Sequence, residues 1–220
     1  MTIIKYIFIT LLFINAWQTQ ASYQGKSVVI QQPLQLNKDT LPKKQSTTVK
    51  LNSSKEAGIK MFIPKGYEVQ DSISGDLNKD GLIDMALVLR VKNEESFSKK
   101  RKIMLLLLKQ RDGNLKQVKR NDNIILCAGC GGVFSDPYVE TKIEKGKITI
   151  DHYGGDATRF SKTDVFQYSR KEKNWLLIEE IWVYTSSTDL EDTEEITKTS
   201  KDFGKITFEQ YDPKRIKIKS

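Results

Sequence analysis

Histidine, cysteine and proline are scarce in this chain, with one His, two Cys and five Pro among 220 residues. A lone imidazole excludes sites built from several histidines, and two cysteines exclude both a four-cysteine zinc site and a disulfide-dense scaffold. No apolar run reaches the roughly 20 residues needed to cross a bilayer; the longest, starting at Tyr6, gives way to Asn15, Gln18 and Gln20. A phosphate loop of the G-x-x-x-x-G-K-[ST] type is missing, and so is any basic, aromatic-interleaved nucleic-acid motif. A length of 220 residues excludes a large multidomain enzyme, while 38% hydrophobic residues are too many for a chain disordered throughout. One packed domain is expected.

The first 21 residues carry a basic start ending at Lys5, an apolar stretch to Ile14, and small residues at Thr19 and Ala21. That is the pattern of a secretory signal cleaved near Ala21, so the expected location is periplasmic or secreted, with no transmembrane span in the mature protein. The formal net charge of +8 becomes +7 once Lys5 is removed, which favours an acidic partner. Export points to an unknown protein or an anionic envelope component and away from nucleic acid, although a Lys-rich surface also serves solubility alone. Residues 22–54 are rich in Gln, Lys, Ser, Thr and Asn and read as a flexible polar leader, with 28–30 a short strand candidate.

Residues 55–220 read as a single β-rich domain. Short runs of Ile, Leu, Val, Phe, Tyr and Trp alternate with Gly, Asn-Asp or Lys-rich breaks, the signal of strands. The expected strands are 59–63, 85–91, 102–109, 115–119, 123–126, 139–143, 147–153, 165–168, 175–184 and 205–210. Most connections are too short for crossover helices, and the turns Arg111-Asp112-Gly113-Asn114 and Glu144-Lys145-Gly146 suit tight hairpins. The expected fold is therefore mainly β, antiparallel sheets joined by hairpins, with a propeller-blade-like layout as one option and little helix. The nearly continuous apolar runs 85–89 and 103–108 predict a central pair covered on both faces. Residues 190–200 are expected to be a short helix or an acidic loop.

The most informative stretch is Gly75-Asp76-Leu-Asn78-Lys-Asp80-Gly81-Leu82-Ile-Asp84. A hard cation takes six to eight oxygens, and a short loop wraps it when alternate side chains point inward and the chain turns at a Gly. Asp76, Asn78, Asp80 and Asp84 would supply side-chain oxygens and Leu82 its carbonyl, with Ca2+ the expected cation. The twelfth position is Leu87, so the bidentate Glu of an EF-hand is missing. The competing reading is an Asx-rich turn that caps its own backbone. The D-x-N-x-D-G-x-x-D order resembles the calcium loops of the FG-GAP and VCBS repeat families. With its flanks, from Phe62 to Leu89, the stretch is also similar to uncharacterised secreted bacterial proteins carrying one such loop. This resemblance implies an extracellular β scaffold and a structural calcium.

Cys127-Ala-Gly-Cys130 in an oxidising compartment predicts a local disulfide; a redox pair, a zinc site using His152 and reduced thiols remain alternatives. Gly131 and Gly132 make a poor helix start, which disfavours the redox reading. The sole histidine, His152, could serve Cys127 as a base in a hydrolase, but no third group can be placed to orient the pair. Asp136, Asp151 and Asp156 could act as an acid-base pair only where folding joins them. Gly131-Gly132 and Gly154-Gly155 are expected to allow close backbone approach. The aromatic run from Trp175 to Tyr184 suits either a core strand or a carbohydrate-stacking face. The expectation for function is an exported, calcium-stabilised, non-catalytic binding module. The alternatives are a periplasmic inhibitor or immunity protein that binds a toxin or lytic enzyme, and a hydrolase.

Overall fold

In a computed structural model that describes residues 58–214, the apolar runs 85–89 and 103–108 form the centre of a four-stranded antiparallel sheet. The strands are β1 (Tyr67–Gly75), β2 (Asp84–Val91), β3 (Ile103–Lys109) and β4 (Leu115–Asn121), in that order across the sheet. A second antiparallel sheet is a meander of β5 (Tyr138–Glu144), β6 (Lys147–Gly155), β7 (Thr158–Ser169), β8 (Asn174–Ser186) and β9 (Thr193–Thr199). The expected β fold with hairpins is thus present; among the described residues the sheets make neither a closed barrel nor a propeller. The signal sequence and the leader 22–54, with its strand candidate 28–30, lie outside the described residues. No helix among the described residues is long and apolar enough to cross a membrane.

Both faces of β2 and β3 are covered, for the reason their sequence suggests. Ala86, Val88, Met104 and Leu106 meet Ile148, Ile150, Phe166 and Leu177 of the second sheet in one core. Met85, Leu87, Leu89, Ile103, Leu105 and Leu107 face the other way, against Ile59, Phe62, Ile63, Tyr67 and Val69. At Lys145 and Gly146 both residues have positive φ, 50° and 77°, as the two-residue turn between β5 and β6 requires. The paired glycines also behave as expected: Gly132 bridges Gly155, and a side chain on Gly154 would meet the Gly131 Cα at 2.7 Å.

Several expected elements differ. Residues 59–63 are not a strand but a short helical turn whose 3₁₀ segment is Lys60–Phe62. Their apolar positions 59, 62 and 63 have helical spacing, and Met61 between them is 81% exposed. β1 was not expected because a bulge between Val69 and Asp71 reverses its phase: Tyr67 and Val69 pack on the outer cluster, Ile73 on the core between the sheets. Residues 123–126 bend, since the Asn121 side chain accepts the N–H groups of Asn123 and Ile124. Residues 205–210 form a turn whose one ladder pairing with β8 is the isolated Thr207–Leu176 bridge, yet it buries Phe208 and leads to buried Tyr211. The segment 190–200 contains strand β9, with Ile196 opposite Trp182 and Lys198 opposite Glu180. The helix comes after it, as α1 (Ser200–Phe203), where Thr199 and Asp202 form a capping box.

Candidate functional site

The loop 76–84 joins β1 to β2, and its own side chains fold it. The Asp76 carboxylate accepts the N–H groups of Lys79 (2.7 Å), Asp80 (3.2 Å) and Gly81 (3.0 Å). Asn78 Oδ1 accepts the Asp80 N–H, Asn78 Nδ2 donates to Asp80 Oδ2, and Asp80 Oδ1 accepts the Leu82 N–H at 2.8 Å. The turn needs positive φ at Lys79 and Gly81, and at Gly81 the glycine supplies it without strain. Asp84, 1% exposed, accepts from Leu77 N and from Lys109 N, both at 2.8 Å, and so ties the loop to the end of β3.

The second sheet grips the same loop. Leu77 is fully buried, and its carbonyl accepts the indole N–H of Trp175 at 2.8 Å. The Asp76 carbonyl accepts the N–H of Gly146 in the β5–β6 turn at 3.0 Å. So held, carboxylate oxygens of Asp76, Asp80 and Asp84 lie within 4.8 Å of one another. Burial raises the pKa of Asp84; hydrogen bonds from Lys109 and Leu77 oppose the rise, and the charges of Asp80 and Asp76 add to it. Three carboxylates this close repel one another, and a cation would relieve the repulsion. Of the five residues expected at the loop, Asp76, Asp80 and Asp84 converge, while Asn78 and Leu82 are bonded to Asp80. On its outer side the loop borders a groove shared with Lys109, Gln110 and Arg111, which leaves a path for solvent.

The cysteines are joined in the expected disulfide, Cys127–Cys130. Cys127 therefore has no thiol to act as a nucleophile. His152, 1% exposed, does not pair with it: Nε2 accepts the N–H of Leu126 at 3.2 Å. Nor do the three aspartates meet. Asp136 binds Lys102 (2.6 Å), Asp151 accepts from Thr163 Oγ1, and Asp156 accepts from Val133 N. Trp175 is a core residue at 1% exposure. Trp182 and Tyr184 are partly buried and stack in parallel 5.7 Å apart, with the Lys162 ammonium 5.3 Å from the Trp182 ring.

One buried constellation lies outside the sequence expectations. Lys162, Asp164 and Glu180 are at most 1% exposed, and Tyr211 is fully buried. The Lys162 ammonium bonds Asp164 and Tyr211 Oη (2.7 Å) and lies 3.5 Å from Glu180; the Tyr211 hydroxyl also reaches both carboxylates. Burial raises the pKa of Asp164, against the pull of Lys162. In β7 the run Thr158-Arg-Phe-Ser-Lys162-Thr-Asp164 reads as polar and outward-facing, so no local pattern signals this interior use.

Burial, reinforced by the positive charges of Lys162 and Lys102, holds the His152 pKa well below its ordinary value. The folded ring stays neutral where the unfolded one is protonated, so stability must fall as pH drops through the unfolded pKa near 6.5. The expected slope is about 1.4 kcal/mol per pH unit, continuing down to the folded pKa. Urea midpoints at neutral and mildly acidic pH check this. The slope should flatten in His152→Gln, whose amide oxygen can still accept from Leu126; an unchanged slope would mean that another group titrates.

Comparison with known proteins gives no match to any family model, curated protein or solved structure.

Proposed function

We propose that this chain is an exported, non-catalytic binding module whose β scaffold is braced by one calcium ion in the loop 76–84. The observation that carries the reading is the convergence of Asp76, Asp80 and Asp84 on a loop gripped by both sheets. Hard oxygen donors suit calcium, and its flexible coordination suits a loop whose shell solvent can complete; magnesium demands a tighter octahedron. Asn78 and Leu82 would add oxygens. The ion would hold the start of β2, the end of β3 and the Trp175 side of the second sheet together. The FG-GAP and VCBS resemblance of this stretch supports the same cation.

Export is supported by the signal pattern of residues 1–21 and by the disulfide, a bond favoured in oxidising compartments. The non-catalytic reading is supported by the fate of the Cys-His pair: the sulfur is in a disulfide and the imidazole is buried on the Leu126 N–H. Calorimetric titration of the chain from Ser22 should give one calcium site, weaker binding of magnesium, and no calcium heat in Asp80→Ala. A flat titration of the parent chain would remove calcium from the reading. A pull-down from envelope extract should retain anionic envelope material. Recovery of one stoichiometric protein instead would assign the chain as a periplasmic inhibitor or immunity protein.

A further inference from the structure

β9 is the last strand of the second sheet, with β8 on one side and, among the described residues, no strand on the other. The Ser186 N–H donates to the Asp192 carbonyl at 3.1 Å. Hydrogen-bonded pairs recur at every second residue of an antiparallel ladder. Glu194, Ile196 and Lys198 therefore bond to β8, and the backbone N–H and C=O groups of Glu195 and Thr197 point out from the edge. At the ends of the strand the chain satisfies itself: the Thr193 N–H donates to the Glu191 carbonyl at 2.9 Å, and the Thr199 N–H to the Asp202 carboxylate at 2.7 Å. An open edge is a template for another strand, and the charges along it govern which strand can approach.

Glu194, Ile196 and Lys198 share one face of the sheet, opposite Tyr184, Trp182 and Glu180 of β8. Trp182 and Tyr184 stack on that face, and Ile196 beside them is 36% exposed. The order acid, apolar, base is complementary to itself when reversed. Two β9 strands paired antiparallel and centred on Ile196 set Glu194 against Lys198 of the second copy twice, and Ile196 against Ile196. In the same register Glu195 meets Thr197, so the outward backbone groups of these residues form the hydrogen-bonded pairs. The like charges that approach within the strands are the two Glu195 carboxylates, on the opposite face, as diagonal neighbours roughly 7–8 Å apart. Each of them accepts from Thr197 Oγ1 of its own chain. Centring the pair on Glu195 would instead oppose that carboxylate to itself, and centring it on Thr197 would part Glu194 from Lys198. Beyond the strand, Glu191 and Asp192 of one copy come to the end of the other that carries Lys201, where Asp202 is held in the capping box.

We propose that the protein forms a homodimer in which two β9 strands pair antiparallel about a two-fold axis at Ile196, joining the second sheets of both copies into one. Such an interface is isologous and closes at two copies. It goes beyond the binding-module reading and does not depend on calcium. Sedimentation equilibrium of the chain from Ser22, from micromolar to submillimolar concentration, should give a monomer–dimer equilibrium. Glu194→Lys should weaken the dimer about tenfold or more, because two attractive cross-strand pairs become repulsive, and Lys198→Glu should do the same. An equimolar mixture of the two variants should recover the dimer, since each chain then meets the opposite charge on the other. Loss of folding in either variant would not give that recovery. Glu194 is exposed, so Glu194→Lys alone decides the matter where Lys198→Glu does not fold. A parent chain that stays monomeric throughout overturns the proposal, and so does a dimer indifferent to Glu194→Lys. Two folded variants that stay monomeric when mixed overturn it as well. Assemblies that keep growing with concentration would mean head-to-tail contact through another edge, which overturns it too.

Discussion

Replacing Lys162 with methionine is expected to lower stability by about 3–5 kcal/mol, the cost of breaking a buried ion pair from one side. The ammonium has partners besides the carboxylates: it lies 5.3 Å from the Trp182 ring and 5.2 Å from that of Tyr211, where the ring faces attract a cation. Without it, the buried carboxyls of Asp164 and Glu180 face each other across the Tyr211 hydroxyl. That hydroxyl has one hydrogen and can satisfy only one of them. Domains of this size are stable by roughly 5–15 kcal/mol, so the variant should unfold at much lower urea. The triple variant Lys162→Met, Asp164→Leu, Glu180→Met should recover most of the loss, because an apolar replacement of a whole buried network is often neutral. A change in Lys162→Met below about 1 kcal/mol, the range of an exposed pair, would mean that the network is not formed in solution.

The second large effect is expected from calcium. At a concentration 100 times the dissociation constant, a ligand that binds only the folded state adds about 2.7 kcal/mol. At roughly 2–4 °C per kcal/mol, the thermal midpoint should rise by about 5–10 °C over its value in chelator. Magnesium should give a smaller rise. Asp80→Ala should abolish the calcium rise with only a small change in chelator, since it loses the bond to the Leu82 N–H but also relieves repulsion with Asp76 and Asp84. A calcium rise that survives Asp80→Ala would place the ion elsewhere. The absence of any rise would leave the loop as an Asx-rich turn.

The parts of the molecule legible in the sequence are those whose cause is local. β2 and β3 appear as apolar runs because both faces are covered, and β6 alternates because one of its faces, with Ile148 and Ile150, is turned to the core. The cluster of Asp76, Asp80 and Asp84 is legible because its oxygens occupy one short stretch, and the disulfide because its cysteines are three residues apart. What was not legible depends on register or distance. The β1 bulge shifts the apolar phase, so counting every second residue fails beyond Val69. β9 is acidic and exposed along most of its length, and it is a strand because β8 offers it an edge. Lys162, Glu180 and Tyr211 come together only once β7 and β8 pair in register and the C-terminal turn folds over them.

The bond between the Trp175 indole and the Leu77 carbonyl has a consequence for engineering. By exposure alone, Lys79, Asp80 and Gly81 look like a tolerant surface tip, the usual place to splice in a tag or a guest domain. The loop is instead stitched to Trp175, Gly146 and Lys109, and inserted residues would pull on both sheets. The β3–β4 turn is the better splice point: Arg111, Asp112, Gly113 and Asn114 are all exposed, and the hydrogen bonds that shape them come from within the same hairpin.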